Sequence, residues 1–337
     1  MSSPGGSNAG AAVGTSDVDE LDRARARDKR AVARLVTLFE DPRPAAAARR
    51  QAVIAALDAA GAPTARIVGF TGTPGAGKSS LVGELALRLA GLADGGTGGE
   101  RVDTSAGDAG LSIAIVAVDP SSPVSGGALL GDRTRVRFPP GEPRLYFRSQ
   151  SSSGAVGGLA PTTFQACRLL TRLFDLVILE TVGIGQSEIE VVRIADMTVL
   201  VLQPHGGDHV QFMKAGVMEV PDAFAVNKID LPGAEATVHA LRASLRLASP
   251  GRADRPVYRT SARSGAGMAE LADAVRAAPG PGLRGREPGF FARWIEAEYG
   301  KWGLDRLARQ KTDPAAYVAE HGGLDGAQLA FAAAMAV

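Results

Sequence analysis

The sequence predicts a doubly wound α/β fold, in which helices cover a mainly parallel β-sheet and further helices extend both ends of the domain. Short, continuous apolar runs such as residues 111–118 and 197–202 recur along the chain, and such runs are typical of parallel strands buried on both faces. Segments with apolar residues at helical spacing lie between them. Several runs end in a glycine, an acid or an amide, and open α/β sheets bind ligands beyond the carboxyl ends of their strands.

Length and composition agree with this fold class. The 337 residues allow one large domain or two small ones, and 45% hydrophobic residues are enough for a substantial core. A net charge of +1 gives no electrostatic reason to expect nucleic acid or an anionic membrane as a partner. We find no apolar run of membrane-spanning length and no signal peptide, and we expect a cytoplasmic protein.

Cys167 is the single cysteine of the chain. A single cysteine excludes an internal disulfide and suits a reducing cytoplasm. Because it falls on a helix predicted over residues 162–172, we expect a small buried apolar side chain rather than a reactive thiol.

The N-terminal part of the chain is predicted to be a tail and a helical extension. Residues 1–16 are mostly small and polar, and we expect them to be disordered. Residues 17–62 carry two helical patterns, one from Asp17 to Phe39 and a second after Pro42 and Pro44. We expect these helices to form an appendage on the α/β domain, which spans residues 63–278.

The first motif follows the apolar run at residues 67–70, where the sequence reads G-T-P-G-A-G-K-S and an amphipathic helix begins. This strand, glycine-rich turn and helix match the P-loop pattern. The glycines allow backbone N–H groups to surround an anion, and the helix adds the positive end of its dipole. The residues expected to bind a nucleoside triphosphate here are Gly72, Thr73, Pro74, Gly75, Ala76, Gly77, Lys78, Ser79 and Ser80.

Within this motif we assign Lys78 to the β- and γ-phosphates and the Ser79 hydroxyl to Mg²⁺. Two later strands deliver acids to the same edge of the sheet. Asp119 ends the run at residues 111–118, and it opens a polar segment at residues 119–135 that we interpret as a switch around the γ-phosphate. Glu180 ends a second hydrophobic run and would hold Mg²⁺ directly or through water, while the Gly183 N–H faces the γ-phosphate.

Two weaker patterns leave alternatives open. Gln186 and Ser187 either position water or are ordinary surface residues. His205, Asp208 and His209 follow the strand at residues 197–202, but no further His or Cys clusters with them, so we expect a polar loop rather than a metal site.

The last motif is Asn227-Lys228-Ile229-Asp230, which follows another short apolar run. The Asp230 carboxylate can accept the ring N1–H and the exocyclic amine of guanine, which adenine does not offer in that arrangement. The aliphatic stem of Lys228 can cover the base. Ser261 and Ala262 resemble the loop that offers a backbone N–H to the guanine O6. Together with the P-loop this order of motifs predicts guanine specificity.

These motifs resemble the MeaB/MMAA family, also known under the names ArgK and LAO/AO transport ATPase, from about residue 17 to residue 275. The most specific matches are V-D-P-S-S-P-V-S-G-G-A-L-L-G-D-R-T-R and E-T-V-G-I-G-Q-S-E. The resemblance implies a SIMIBI-type G domain that binds GTP or GDP with Mg²⁺. It also implies a GTPase chaperone of an adenosylcobalamin-dependent acyl-CoA mutase, typically methylmalonyl-CoA mutase, which gates cofactor loading, protection or reactivation.

Carried over by position, the resemblance implies that Lys78 binds phosphate. It also implies that the carboxylates of Asp119, Asp132 and Glu180 and the hydroxyl of Ser79 surround the metal. It matches residues 207–214 to a third switch that faces the mutase. No arginine finger is evident beyond Arg133 and Arg135, so we expect slow intrinsic hydrolysis.

The C-terminal extension, residues 279–337, departs from the long arginine-rich dimerisation arm of the family. We expect Trp294, Ile295 and Trp302 to pack in a core, or alternatively on a second subunit of a homodimer. Two rival functions remain at this point. A metallochaperone GTPase of the hydrogenase or urease type would carry a His-rich tract or a Cys/His motif, and a small-molecule kinase would need an acceptor pocket and a base.

Overall fold

A computed structural model describes the chain in two compact units, Met1–Ala62 with Gly285–Val337, and Pro63–Arg284. The described residues are 15–61, 65–93, 110–119, 138–139, 141–151, 161–181, 187–204, 220–248, 254–278, 283–309 and 312–336. Residues 1–14 of the expected disordered tail and most of the insertion at residues 91–110 therefore lie outside the described residues. Residues 15 and 16, which we also expected to be disordered, begin the first helix.

The α/β unit is built on a seven-stranded sheet whose described neighbours all pair in parallel. The strand order is β3-β2-β4-β1-β5-β6-β7. The strands are β1 (Arg66–Gly72), β2 (Ile113–Asp119), β3 (Leu145–Ser151), β4 (Leu176–Thr181), β5 (Met197–Leu202), β6 (Ala223–Val226) and β7 (Val257–Arg259).

Helices connect these strands in the same unit: α4 (Lys78–Leu89), α5 (Pro161–Leu170), α6 (Ser187–Ile194), α7 (Ala234–Ala248) and α8 (Met268–Arg276). Both faces of the sheet are covered. Along β5, Val199 and Val201 join one apolar cluster, while Leu200 and Leu202 join another together with the buried face of α7. This alternation confirms the doubly wound class, because successive side chains of a strand point to opposite faces.

Cys167 lies on α5 and is fully buried, as predicted. Burial disfavours the thiolate and raises the pKa of the Cys167 thiol to about 12. The thiol therefore serves as an apolar packing group.

The other unit joins the two terminal extensions. It contains α1 (Thr15–Arg25), α2 (Lys29–Glu40), α3 (Pro44–Ala59), α9 (Glu287–Arg309), α10 (Pro314–Glu320) and α11 (Leu324–Met335), with a short 3₁₀ turn at Leu283–Arg286 before α9. Helix α3 packs on α11. A buried ion pair joins them, with Arg50 Nε 2.7 Å from an Asp325 carboxylate oxygen and both side chains at most 5% exposed.

The first helical pattern, predicted from Asp17 to Phe39, is divided in the structure into α1 and α2. Arg27 adopts a left-handed conformation at φ 62°. Asp28 then caps α2 by accepting a hydrogen bond from the Ala31 N–H at 2.8 Å. An N-terminal cap of this kind satisfies a helix-end donor, and it begins a new helix where apolar spacing alone suggests continuity.

The packing expected in the C-terminal extension is found for two of its three named residues. Ile295 is buried, and Trp294 packs against Phe291 and Phe331 at ring-centroid distances of 6.0 and 6.4 Å, so these two contribute to packing within the terminal unit. Trp302 is 56% exposed, and the expectation of core packing is wrong for this residue. Helix α9 is kinked at Gly300, whose φ of 62° interrupts the helix between Trp294 and Trp302.

Candidate functional site

The P-loop joins the central strand β1 to helix α4. Gly72 ends the strand at φ 143°, and a Cβ added there would lie 2.0 Å from the Val201 carbonyl oxygen of β5. Gly77 caps α4 in the left-handed region, at φ 80°, and a Cβ there would lie 2.8 Å from the Asn227 amide nitrogen. Only glycine satisfies both the backbone conformation and the close approach at these two positions.

Lys78 opens α4 and is 7% exposed. Its Nζ donates hydrogen bonds to the carbonyl oxygens of Gly72 and Thr73 at 2.8 and 3.0 Å, so the ammonium lies inside the turn formed by the loop. Helix α4 thereby presents a buried positive charge at its N-terminus, where the helix dipole also favours an anion.

Ser79 and Glu180 meet at the same edge of the sheet. The Ser79 hydroxyl donates to a Glu180 carboxylate oxygen at 2.7 Å, and Glu180 is 4% exposed. Glu180 lies near the end of β4, beside β1 in the sheet, so strand order alone delivers the acid to the P-loop. The two side chains are hard oxygen donors of the kind that Mg²⁺ prefers.

A cavity of about 600 Å³ opens over these groups. Its lining includes Gly75, Lys78, Ser79 and Glu180, together with Ala117 from near the end of β2. The volume lies within the range typical of small-molecule sites. The cavity therefore combines a buried cation, a hydroxyl and a carboxylate.

Asn227 ties the end of β6 to the P-loop. Its side-chain amide donates to the carbonyl oxygen of Ala76 at 2.8 Å and, more weakly, to that of Gly77 at 3.4 Å. Its Oδ1 accepts from the backbone N–H of Ala262 at 3.3 Å. Because Asn227 is 2% exposed, water cannot readily replace these bonds.

Lys228 also links the end of β6 to the P-loop, and its backbone is in the left-handed region at φ 59°. A non-glycine residue in that region is strained by about 1–2 kcal/mol, and such strain persists only where surrounding contacts hold it. Here the Nζ of Lys228 donates to the Gly75 carbonyl oxygen at 2.7 Å and to the Gln203 side-chain oxygen at 2.9 Å.

Asp230 and Ser261 lie at a second cavity of about 430 Å³, whose lining also includes Asn227, Lys228 and Ala262. The Ser261 hydroxyl donates to Asp230 Oδ1 at 2.5 Å. This hydrogen bond is the main reason that the pKa of the Asp230 carboxyl lies below its ordinary value, and the carboxylate is ionised at neutral pH. Gly77, Ser80 and Lys228 line both cavities, which are therefore adjacent.

The structure thus brings together the P-loop, Glu180, the N-K-I-D tetrad and the Ser261–Ala262 loop. The other predicted site residues fall outside the described parts of the chain: the side chain of Asp119, Asp132, Arg133, Arg135, Gly183, Gln186, the side chain of Ser187, His205, Asp208, His209 and residues 207–214.

Two features of the site carry no recognisable sequence motif. Gln203 follows β5 and reaches Lys228, and the Thr181 hydroxyl donates to Thr71 Oγ1 at 3.0 Å between β4 and β1. A polar residue at the end of a buried strand was the available signal for Gln203. Thr181 and Thr71 meet because β4 and β1 are neighbours in the sheet, so their contact cannot be recognised before the strand order is known.

Two kinds of feature are absent from the described residues. Within those ranges no helix combines the length and apolarity needed to cross a bilayer. In the same part of the chain, no three His, Cys, Asp or Glu residues lie close enough together to hold a metal ion.

Comparison with known proteins places this arrangement among GTPases. Residues 32–279 match the family described as methylmalonyl Co-A mutase-associated GTPase MeaB. A candidate GTPase of Pyrococcus abyssi is 39% identical over 265 residues, which cover 77% of this chain and 75% of that protein. GTPase ArgK of Escherichia coli is 35% identical over 213 residues, covering 63% of this chain and 59% of its own.

A mouse protein named methylmalonic aciduria type A homolog, mitochondrial, is 36% identical over 222 residues, which cover 64% of this chain and 49% of that protein. Among solved structures, the crystal structure of an LAO/AO transport system kinase superposes with a TM-score of 0.59 and covers 92% of both chains. At 22% identity, that similarity concerns the fold.

Proposed function

Because this chain belongs to the MeaB family of methylmalonyl-CoA mutase-associated GTPases, we propose that it uses GTP to serve an adenosylcobalamin-dependent acyl-CoA mutase. Binding and hydrolysis of GTP would gate loading of the mutase with its cofactor, or protect and reactivate the loaded mutase. The single observation that carries the nucleotide part of this proposal is the meeting of two adjacent cavities, one lined by Lys78, Ser79 and Glu180 and the other by Asp230 and Ser261.

The phosphates of GTP or GDP occupy the larger cavity in this proposal. The backbone of residues 72–80 surrounds the β-phosphate, and the Lys78 ammonium neutralises oxygens of the β- and γ-phosphates. Lys78 already lies buried among the loop carbonyls. It therefore needs only a small displacement to exchange a carbonyl for a phosphate oxygen. Gly183 is proposed to offer its N–H to the γ-phosphate.

Guanine occupies the smaller cavity. The ionised Asp230 carboxylate accepts from N1–H and the exocyclic amine, and Ser261 keeps that carboxylate oriented. The Ala262 N–H serves the guanine O6, and the Lys228 stem covers the ring. Adenine would leave the Asp230 carboxylate without the donors that match it, which is the basis of the specificity.

The proposed Mg²⁺ site begins with Ser79 and Glu180. Their oxygens are 2.7 Å apart at the edge of the larger cavity, and a hydroxyl with a carboxylate fits a hard divalent cation. We propose Asp119 and Asp132 as the further acids of this site. When bound, Mg²⁺ supplies positive charge to the β- and γ-phosphate oxygens.

Hydrolysis follows from positioning and charge neutralisation. A water attacks the γ-phosphorus in line, the bond from that phosphorus to the β–γ bridging oxygen breaks, and GDP and phosphate leave. Lys78 and the P-loop N–H groups stabilise the charge that develops on the leaving diphosphate. Arg133 and Arg135 remain the candidates for an added positive charge, and intrinsic turnover is expected to be slow.

The partner proposal is based on membership of the family. We propose methylmalonyl-CoA mutase as the client, residues 207–214 as the segment that faces it, and a homodimer as the assembly. The buried single cysteine is consistent with a cytoplasmic location.

The deciding experiment measures phosphate release from GTP with and without purified methylmalonyl-CoA mutase, with ATP as the control nucleotide. We expect slow hydrolysis specific to GTP that the mutase stimulates, and loss of hydrolysis in Lys78→Ala. Unchanged turnover in Lys78→Ala would disprove the phosphate assignment. Slow GTP hydrolysis that ignores the mutase would leave the GTPase intact and reject the client.

A further inference from the structure

Gln203 lies where three parts of the nucleotide site meet. It directly follows β5, which lies between β1 and β6 in the sheet. Its side-chain oxygen accepts a hydrogen bond from Lys228 Nζ at 2.9 Å. Its side-chain amide lies beside the P-loop, since a Cβ added to Gly75 would lie 3.6 Å from Nε2 and 3.9 Å from Oε1. Gln203 therefore contacts the guanine-reading tetrad and borders the phosphate-binding loop.

The hydrogen bond to Gln203 gives the Lys228 ammonium a second acceptor and so defines the direction of its side chain. An ammonium group has three donors and a flexible four-carbon stem, so one acceptor leaves the direction of the stem poorly defined. The Gly75 carbonyl oxygen at 2.7 Å is one acceptor, and Gln203 provides a second from a different strand. With both in place, the Lys228 stem passes over the P-loop, where a Cβ added to Gly77 would lie 3.6 Å from its Cε.

The neutral amide suits this position. A carboxylate here would also accept from Lys228, but it would place a negative charge beside a loop that binds phosphates. Glutamine supplies an acceptor without that charge.

We propose that Gln203 is a positioning residue that sets guanine-nucleotide affinity by holding Lys228 against the P-loop. The inference rests on the proposed function, because it assumes that Lys228 covers the base. Gln203 contacts no reacting atom in this scheme. It therefore acts on nucleotide binding and leaves the chemical step unchanged.

A double-mutant cycle between Gln203 and Lys228 tests this role, with fluorescent GDP as the probe. Gln203→Met conserves side-chain length and removes the acceptor, and we expect it to raise the Kd for GDP about tenfold, as loss of a hydrogen bond to a charged group should. In a Lys228→Met background the same change should alter the Kd less than about twofold. In Gln203→Met the kcat at saturating GTP should stay at the wild-type value.

Gln51→Met is the matched control, because Gln51 is a half-buried glutamine in the terminal unit that donates to the His321 carbonyl oxygen. It should leave the Kd unchanged. Gln203→Ala is measured in parallel in case the methionine variant is unstable.

Three results would overturn the proposal: an unchanged Kd in both Gln203 variants, an equal loss with and without Lys228, or a fall in kcat at saturation. If the wild type binds GDP and the variants match it, only this inference fails. If the wild type binds no guanine nucleotide, the proposed function fails with it.

Discussion

Asn227 offers the sharpest test of how the site is held together, because one buried side chain joins the P-loop to the loop at Ser261–Ala262. Asn227→Ala removes a 2.8 Å hydrogen bond to the Ala76 carbonyl and a longer one, 3.3 Å, from the Ala262 N–H. A buried polar group left without its partner costs about 1–3 kcal/mol. The short bond dominates, and we expect a total loss of about 2 kcal/mol.

If the lost bonds act on the nucleotide-binding geometry, about 2 kcal/mol corresponds to a Kd for GDP raised about 30-fold. Asn227→Asp should be at least as damaging, although it matches the wild type in size. It keeps an acceptor for Ala262 but turns a carboxylate toward the carbonyl oxygens of Ala76 and Gly77. The comparison separates the loss of the donor from the loss of volume.

The assay is titration of each purified variant with fluorescent GDP, accompanied by thermal unfolding without nucleotide. Thr237→Ala is the control, because it removes a buried hydroxyl whose 3.4 Å hydrogen bond goes to Gly233, four residues before it in the chain. Its Kd should equal that of the wild type. A Kd within twofold of the wild type for Asn227→Asp would refute the reasoning, because the bonds to Ala76 and Gly77 would then not hold the loop.

Three further predictions follow from the same contacts. Asp230→Asn should weaken GDP binding by about 100-fold and improve binding of xanthosine diphosphate, because an amide presents a donor where the carboxylate presents only acceptors; equal loss for both nucleotides, measured by titration, would contradict the base assignment. Gly72→Ala should unfold at a far lower temperature than Gly75→Ala, since an added Cβ would meet a backbone oxygen at 2.0 Å in the first and only the Gln203 side chain at 3.6 Å in the second. Cys167 should react with a thiol reagent at pH 8 at least about 100-fold more slowly when folded than in denaturant. Its folded pKa of about 12 exceeds the ordinary 9.0, so the protein should also lose stability as the pH rises from 9 to 12, and Cys167→Ser should remove that loss.

The sequence predicts the strands that carry motifs better than those that do not. For β5 the predicted run at residues 197–202 matches the observed strand, since it is an apolar run closed by polar residues. The edge strand β3 is not predicted, because Arg148, Ser149 and Gln150 interrupt its apolar character. Helix α7 is also absent from the prediction, although Val238, Leu241 and Leu245 have the helical spacing that would have indicated it.

Sequence reasoning misses contacts between residues that are far apart in the chain, both in the site and in the terminal unit. The P-loop and the N-K-I-D tetrad are local patterns, and each is recognisable because its chemistry is contained in a few consecutive residues. Gln203 and Lys228 are 25 residues apart, and Arg50 and Asp325 are 275 apart. No short pattern links such pairs. Their partnership becomes visible only when the strand order and the packing of the terminal helices are known.

The contacts of Asn227 and Lys228 also bear on how base recognition affects phosphate binding. Both residues belong to the N-K-I-D tetrad, to which we assign the base, yet their side chains donate to P-loop carbonyl oxygens, those of Ala76, Gly77 and Gly75. A base that displaces the tetrad would therefore also disturb the loop that surrounds the phosphates. In the proposed mode of binding, adenine would lack the donors that match the Asp230 carboxylate, and the same displacement would also weaken the shared phosphate contacts. The penalty for adenine would then exceed the cost of the missing donors alone. We therefore propose that guanine specificity in this chain is a property of both cavities together.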